Sequence, residues 1–303
     1  MNRRNFLGLA TAVATSTQIS PALGQVCSVQ SGTVRDRLWV FCNPINADYD
    51  IVGRRSVISP VESALYLGIP NLMMVNQYPK PNIQPTEDGF YQAWRSPFDL
   101  YAYPSKKLLK RVVWSIVGAG GKTNPSERRE IMEMARQTPN IVGITMDDFF
   151  RKGGASLTPD QLRDIQHELK QPEKKLDLYV TLYTNQLNDP IVEYLNQIDV
   201  VTLWTWETGD LANLETNLKK LEQIAPKTRK ILGCYTTAYD PRHNPKWMAL
   251  PVPTMQKQCE TGLRWLKDGR IDGIMIYGNF LDFGWEVIDW TRDWVQRVSE
   301  IAL

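Results

Sequence analysis

The sequence predicts an α/β fold, a (β/α)8 TIM barrel in one domain with a loop-rich N-terminal third. Eight short apolar segments recur along the chain, and segments with helical spacing lie between most of them. The length of 303 residues also suits a barrel of about 250 residues with a leader. Strands alternating with helices of this size pair in parallel through crossovers. An open doubly wound sheet shares that rhythm, and the count of eight favours closure.

Each element has its own signal. The strand segments are residues 38–45, 71–77, 112–117, 141–147, 176–183, 200–206, 231–235 and 273–277, all apolar and of strand length. Helical spacing marks residues 126–137, 158–170, 189–197, 210–224, 254–267 and 285–302. After the first strand only residues 60–67 read as helix, and residues 79–104 are rich in proline and aromatics with little periodicity.

Residues 1–24 read as a targeting segment. Arg3 and Arg4 precede Asn5, Phe6 and Leu7, and a mild apolar run ends at Ala22, Leu23 and Gly24, which resembles a twin-arginine export signal. The run is too short and polar to remain as a membrane helix, so no membrane span is expected in the mature protein. The barrel domain is then residues 25–303, in a periplasmic or secreted protein. A lipoprotein anchor at Cys27 is disfavoured, because Val26 stands where such signals want a small residue.

Composition narrows the function. With 43% hydrophobic and 22% charged residues, the chain is an ordinary globular protein. A net charge of +2 leaves no footprint for nucleic acid. Lys106, Lys107, Lys110 and Arg111 form a local basic cluster, read as a solvated face or a place for an acidic glycan. The four cysteines, Cys27, Cys42, Cys234 and Cys259, lack CxxC spacing. A Cys27–Cys42 disulfide suits an oxidising compartment, while Cys234 and Cys259 read as buried thiols. His167 and His243 are the only histidines, so no metal site and no cofactor are expected. Nothing in the sequence sets an oligomeric state.

Several motifs fail. Residues 118–123 are glycine-rich, but Ile116 stands where a phosphate-binding loop needs its first glycine, and Thr123 takes the third glycine position of a dinucleotide fingerprint. Neither GxSxG nor HExxH occurs.

Side-chain alternation sorts each strand into two faces. In the fourth segment Val142, Ile144 and Met146 suit the layer beneath the helices, which leaves Gly143, Thr145 and Asp147 facing the axis. Asp147 therefore ends a strand pointing inward, where barrel enzymes carry catalytic groups. Asp148 follows on the rim, with a turn-capping role as its plain alternative. Phe149 and Phe150 are expected to lower the local dielectric and raise a carboxyl pKa. The sixth strand sends Trp204 and Trp206 inward with Glu207 just beyond, and the seventh sends Tyr235 inward, with Tyr239 and Asp240 in its loop. Tyr183 and Asn185 close the fifth strand, Tyr277 and Asn279 the eighth, and Asn43 and Asn76 or Gln77 the first two. Trp285, Trp290 and Trp294 read as core.

A mouth of indoles, phenols, amides and carboxylates suits a carbohydrate, because aromatic faces pack on sugar rings while polar groups bond the hydroxyls. With this strand pattern and residues 143–148, the chain resembles secreted (β/α)8 glycoside hydrolases, no particular family being identified. It departs from the chitinase-like DxxDxDxE pattern at Val142, Thr145 and Phe149. The implied activity is hydrolysis of a glycosidic bond in a poly- or oligosaccharide by two carboxyl groups. Asp147 is the first candidate, as proton donor or nucleophile. Glu207 or Asp240 is its partner, and Asp148 is the alternative to Asp147. Substrate contacts fall to Tyr183, Asn185, Trp204, Trp206, Tyr235, Tyr239, Tyr277 and Asn279. A noncatalytic glycan-binding barrel is the alternative, and the export route alone suggests a third, cofactor-dependent enzyme.

Overall fold

The computed structural model describes residues 32–43, 52–75, 108–117, 123, 125–151, 154–171, 174–240 and 244–303. Eight parallel strands close a barrel: β1 (Leu38–Cys42), β2 (Asn71–Met74), β3 (Arg111–Ser115), β4 (Ile141–Met146), β5 (Asp177–Tyr183), β6 (Val200–Trp204), β7 (Arg229–Cys234) and β8 (Gly273–Tyr277). Each pairs with its neighbour in sequence, and closure comes from β1 on β8, with Leu38 opposite Ile274 and Phe41 opposite Tyr277. Outside the described residues lie the expected signal, Cys27, the ends of the first two strand segments, the stretch 79–104, Lys106 and Lys107, most of the 118–123 loop and His243.

Seven helices surround the strands among the described residues: α1 (Pro60–Leu67), α2 (Pro125–Gln137), α3 (Pro159–Leu169), α4 (Val192–Leu195), α5 (Leu214–Ile224), α6 (Val252–Lys267) and α7 (Glu286–Val298). Their starts obey local chemistry. Ser59 with Glu62, and Thr158 with Gln161, form capping boxes ahead of α1 and α3, each with proline in the first turn, where its missing amide costs nothing. The helix expected over 189–197 shrinks to the single turn α4. Successive turns from Gln186 to Gln197 bury Leu187, Ile191 and Leu195 at helical spacing without a continuous helix. The helix expected from 210 begins as a 3-10 turn, Thr208–Asn213, where Gly209 and Asn213 are poor helix formers.

Two antiparallel hairpins are additions to the expected fold. Phe150–Arg151 pairs with Gly154–Ala155 after β4, and Thr237–Asp240 pairs with Asn244–Ala249 after β7. Both rise from the carboxyl ends of barrel strands.

Apolar side chains divide into two cores. One lies between strands and helices; the other fills the barrel and is dominated by rings, including Trp39, Phe41, Tyr179, Trp204, Tyr235 and Tyr277. Room for the rings comes from small residues on adjoining strands. A β-carbon on Gly143 would meet the Tyr179 ring and lie 2.6 Å from the Asp177 carbonyl oxygen, and one on Gly233 would fall inside the Trp204 indole. The inward and outward sets follow the expected alternation with one correction. The β3–β4 register shifts between Val112 and Val113, and Val142 packs with the barrel-filling core instead of the helix layer, while Ile144 and Met146 keep the outer side.

Lys110 and Arg111, the described part of the basic cluster, lie at the floor of the barrel. Arg111 Nε donates to Asn71 Oδ1 at 2.9 Å, its guanidinium also donates to the Asp36 carbonyl, and it lies 4.6 Å from the centroid of Trp39. Lys110 pairs with Asp36 at 2.7 Å. Lys110 and Arg111 sit at the amino ends of the strands, opposite the mouth; Lys110 is solvated, as expected, while Arg111 is partly buried against Trp39.

Candidate functional site

The mouth is built outward from β4. Two residues past the fully buried Thr145, whose hydroxyl has no protein partner, the chain turns at Asp147 and Asp148, both half-buried. Asp148 has φ 49°, the one positive value among the described non-glycine residues. That region disfavours L side chains, and aspartate is among the few that tolerate it. Its carboxylate is anchored by β5, where the Tyr183 hydroxyl donates to Asp148 Oδ1 at 2.9 Å. Gln186 ties the two loops together, accepting from the Tyr183 amide and donating to the Phe150 carbonyl, each at 2.9 Å.

Electrostatics place both aspartates beside the same phenol. Burial pushes Tyr183 well above the ordinary tyrosine range, and Tyr235, Asp147 and Asp148 add to the rise because a phenolate would face their negative charge. Phe149 and Phe150 take no part in this. They are buried in the helix-side core, edge-on to each other at 4.9 Å and to Tyr194 at 5.9 Å, so the expected apolar shield over the carboxyls is not theirs.

Trp206 is the hub of the ring cluster. Tyr239 and Trp247 lie edge-on at 5.4 Å between centroids, Tyr183 at 5.6 Å and Tyr235 at 6.0 Å. These are the offset and perpendicular arrangements that ring quadrupoles favour. Trp206 and Tyr239 are half-buried, whereas Trp204 and Tyr277 are buried beneath them. The Trp204 Nε1 donates to Thr202 Oγ1 at 3.0 Å, so its polar atom is satisfied inside the barrel and the ring supports the mouth from below. Tyr235, also buried, packs tilted against both Trp204 at 4.9 Å and Tyr277 at 5.2 Å.

Opposite β4, the amides form a small network. Asn279 Oδ1 accepts from the Asn43 amide at 2.8 Å, and the side chains of Asn43 and Asn279 both donate to the Tyr277 hydroxyl, at 3.3 and 3.1 Å. Asn185 is exposed on the turn after β5. Glu207 and Asp240 are half-buried and come from loops that are stitched together. The Tyr239 amide donates to Thr208 Oγ1 at 2.9 Å, and that hydroxyl donates back to the Tyr239 carbonyl at 3.2 Å. Each acid therefore adjoins one member of this bonded pair.

Trp247 is the mouth residue that sequence reading missed. It sits on the second hairpin, 7% exposed, and its ring also meets Tyr277 at 5.7 Å. The signal was the alternation across residues 246–248, where Lys246 and Met248 are exposed around it. Trp285 and Trp290, read as core, are half-buried and pack against it, Trp285 on Phe280 and Phe283. Trp294 is fully buried, as expected. Cys42, Cys234 and Cys259 are free buried thiols, so Cys42 is not in the expected disulfide. Among the described residues no group of three or more His, Cys, Asp or Glu is placed to hold a metal ion.

No family model matches the sequence, and no curated protein matches it either. Solved structures do match. A Bacteroides thetaiotaomicron protein assigned as an α-L-fucosidase aligns over 95% of this chain and all of its own, with TM-score 0.59 and 11% identity. A xylanase–α-amylase inhibitor protein, solved with trehalose, aligns over 84% of this chain and 96% of its own, with TM-score 0.53 and 12% identity. The active domain of a Pyrococcus furiosus chitinase aligns over 81% and 84%, with TM-score 0.50 and 13% identity. At such identities the likeness is one of fold. Among the described residues no helix is long and apolar enough to cross a membrane.

Proposed function

We propose that the mouth of this barrel hydrolyses a glycosidic bond in a poly- or oligosaccharide. The observation that carries the reading is the placement of Asp147 and Asp148 at the carboxyl end of β4, beside Tyr183, whose ring abuts the Trp206 cluster. Acids set against an aromatic surface suit a reaction whose oxocarbenium-like transition state needs a proton donor and a compensating negative charge, on a ring that packs against indole. Asp147 is the principal acid, with Glu207 or Asp240 as its partner and Asp148 as the alternative to Asp147. Trp206, Tyr239 and Tyr183, half-buried, face the sugar, with Tyr235, Trp204, Tyr277 and Asn279 supporting them. Asn185, on the exposed turn, reaches an outer hydroxyl.

The protein acts outside the cytoplasm, residues 1–24 serving as its twin-arginine leader. N-terminal sequencing of the exported protein should begin near Gln25, and replacing Arg3 and Arg4 by lysine should retain the precursor inside.

Product release from a panel of polysaccharides tests the activity. The reading expects product from the wild-type protein and none from Asp147→Asn at equal binding. Binding without product from either would establish instead a noncatalytic glycan-binding barrel. That alternative is favoured by one finding, the shared fold of the inhibitor protein solved with trehalose.

A further inference from the structure

We infer that Cys234 on β7 and Cys259 on α6 form an oxidisable thiol pair, which closes to an unstrained disulfide at the root of the hairpin bearing Tyr239, Asp240 and Trp247. Alternation puts Cys234 on the outer face of its strand beside Leu232, in the core between strands and helices. Met255, Cys259, Gly262 and Leu266 recur at helical spacing along the buried face of α6. The helix carries the chain from the carboxyl end of β7 back to the amino end of β8, so it runs against its strand.

Two contacts fix where helix and strand meet. Nearer the mouth, Gln258 Nε2 donates to the Tyr235 carbonyl at 3.4 Å. Nearer the floor, a β-carbon on Gly262 would lie 3.0 Å from Leu232 Cδ2 and 3.1 Å from Ile274 Cδ1, so glycine lets the helix settle close on the sheet. Cys259 falls between 258 and 262, and Cys234 between 232 and 235. The two thiols meet there, hydrogen-bonded to each other and fully buried. Cys42, the other described cysteine, is bonded instead to Ser63 of α1, and β8 separates its strand from β7.

The hairpin leaves the barrel just past Cys234 and returns through the helix of Cys259, so a bond between them fastens both its roots. It forms by thiol–disulfide exchange. The thiolate of one cysteine attacks a small external disulfide, such as glutathione disulfide, and releases one external thiol. The thiolate of the other attacks the protein sulfur of that mixed disulfide, so the Cys234–Cys259 bond forms and the second external thiol leaves. Both protein thiols give up their protons, and two electrons pass to the external disulfide. Neither sulfur is exposed in the closed fold, so exchange proceeds when the first turns of α6 lift away or before they dock. Outside the cytoplasm, where the leader reading puts the protein, oxidants of this class are ambient. The pair itself depends on neither that reading nor the glycosidase one.

The test unfolds and reduces the mature protein, residues 25–303, and refolds it with glutathione and glutathione disulfide. Free thiols are blocked with N-ethylmaleimide before digestion and mass spectrometry. A linked peptide should join Cys234 to Cys259, and Cys27→Ser should keep it. The thermal midpoint should lie about 5–10 °C above that of protein refolded in dithiothreitol, because a closed loop of about 25 residues restricts the unfolded chain. Cys234→Ala and Cys259→Ala should each abolish that difference.

Labelling of both thiols in the oxidised wild type, a link from either cysteine to another partner, or a Cys234–Cys259 link that lowers the midpoint overturns the inference.

Discussion

The indole of Trp204 on β6 fills the space beside Gly233 on β7 that a β-carbon at 233 would occupy. Trp204 rests on the next strand with its nitrogen bonded to Thr202, and two residues later Trp206 emerges half-buried among Tyr183, Tyr235, Tyr239 and Trp247. Gly233→Ala should therefore destabilise the fold by about 1–3 kcal/mol through overpacking. Urea denaturation followed by indole fluorescence would measure it, and a midpoint equal to wild type would show that the ring can shift at no cost.

Trp206→Ala should weaken glycan binding by about 1.5–3 kcal/mol, the scale of one large apolar contact. Trp247→Ala should weaken it less, because its ring is 7% exposed and supports Trp206 from behind. Calorimetric titration of oligosaccharide into the Asp147→Asn background separates the two, and equal losses would place Trp247 in direct contact with the sugar.

Asp147→Asn should lower kcat on an oligosaccharide by about 10²–10⁴-fold with KM little changed, as expected for a group acting in the transition state. Steady-state kinetics checks this. A rise in KM at constant kcat would reassign Asp147 to binding.

Arg111→Ala should remove the covering of Trp39 and leave Asn71 Oδ1 without the Arg111 donor, while the Asp36 carbonyl keeps the Asn71 Nδ2 donor, at a cost of about 1–3 kcal/mol. The floor lies at the opposite end of the barrel from the acids, so activity per folded molecule should be unchanged. Thermal unfolding beside specific activity tests both halves of the statement.

Stability should fall as pH rises from about 9 to about 12. Burial pushes the Cys42 thiol from 9.0 up to about 12 and the Tyr179 phenol from 10.0 up to about 12. Both groups release protons in the unfolded chain first, so the unfolded state binds fewer protons in that window and unfolding becomes easier there. Below pH 9 this contribution is fully present. Urea midpoints across the window provide the measurement, and Cys42→Ser should flatten the lower part of the slope.

Much of the fold was legible in the sequence. The eight strands, the helices of 8 residues or more and the inward faces of β6, β7 and β8 follow from alternation and capping, which act between residues close in the chain. Val142 was not legible, because a register shift between strands is set by two strands meeting. The hairpin bearing Trp247 was hidden for a related reason: its strands are short, and their alternation is too brief to stand out from a loop.

Asp147 at the end of an inward-facing strand was readable from position alone, and so was a mouth rich in rings. Sequence by itself determined the barrel and the ring-rich identity of its wall. Only the tertiary structure decided which rings are floor and which are rim, that Phe149 and Phe150 belong to the helix-side core, that Arg111 plugs the far end, and that Asp148 is held by Tyr183. The physical reason is range. Strand periodicity and capping depend on covalent neighbours, whereas Tyr183 lies 35 residues from Asp148 and Trp247 lies 41 from Trp206, brought together by closure of the barrel and the turns at its mouth.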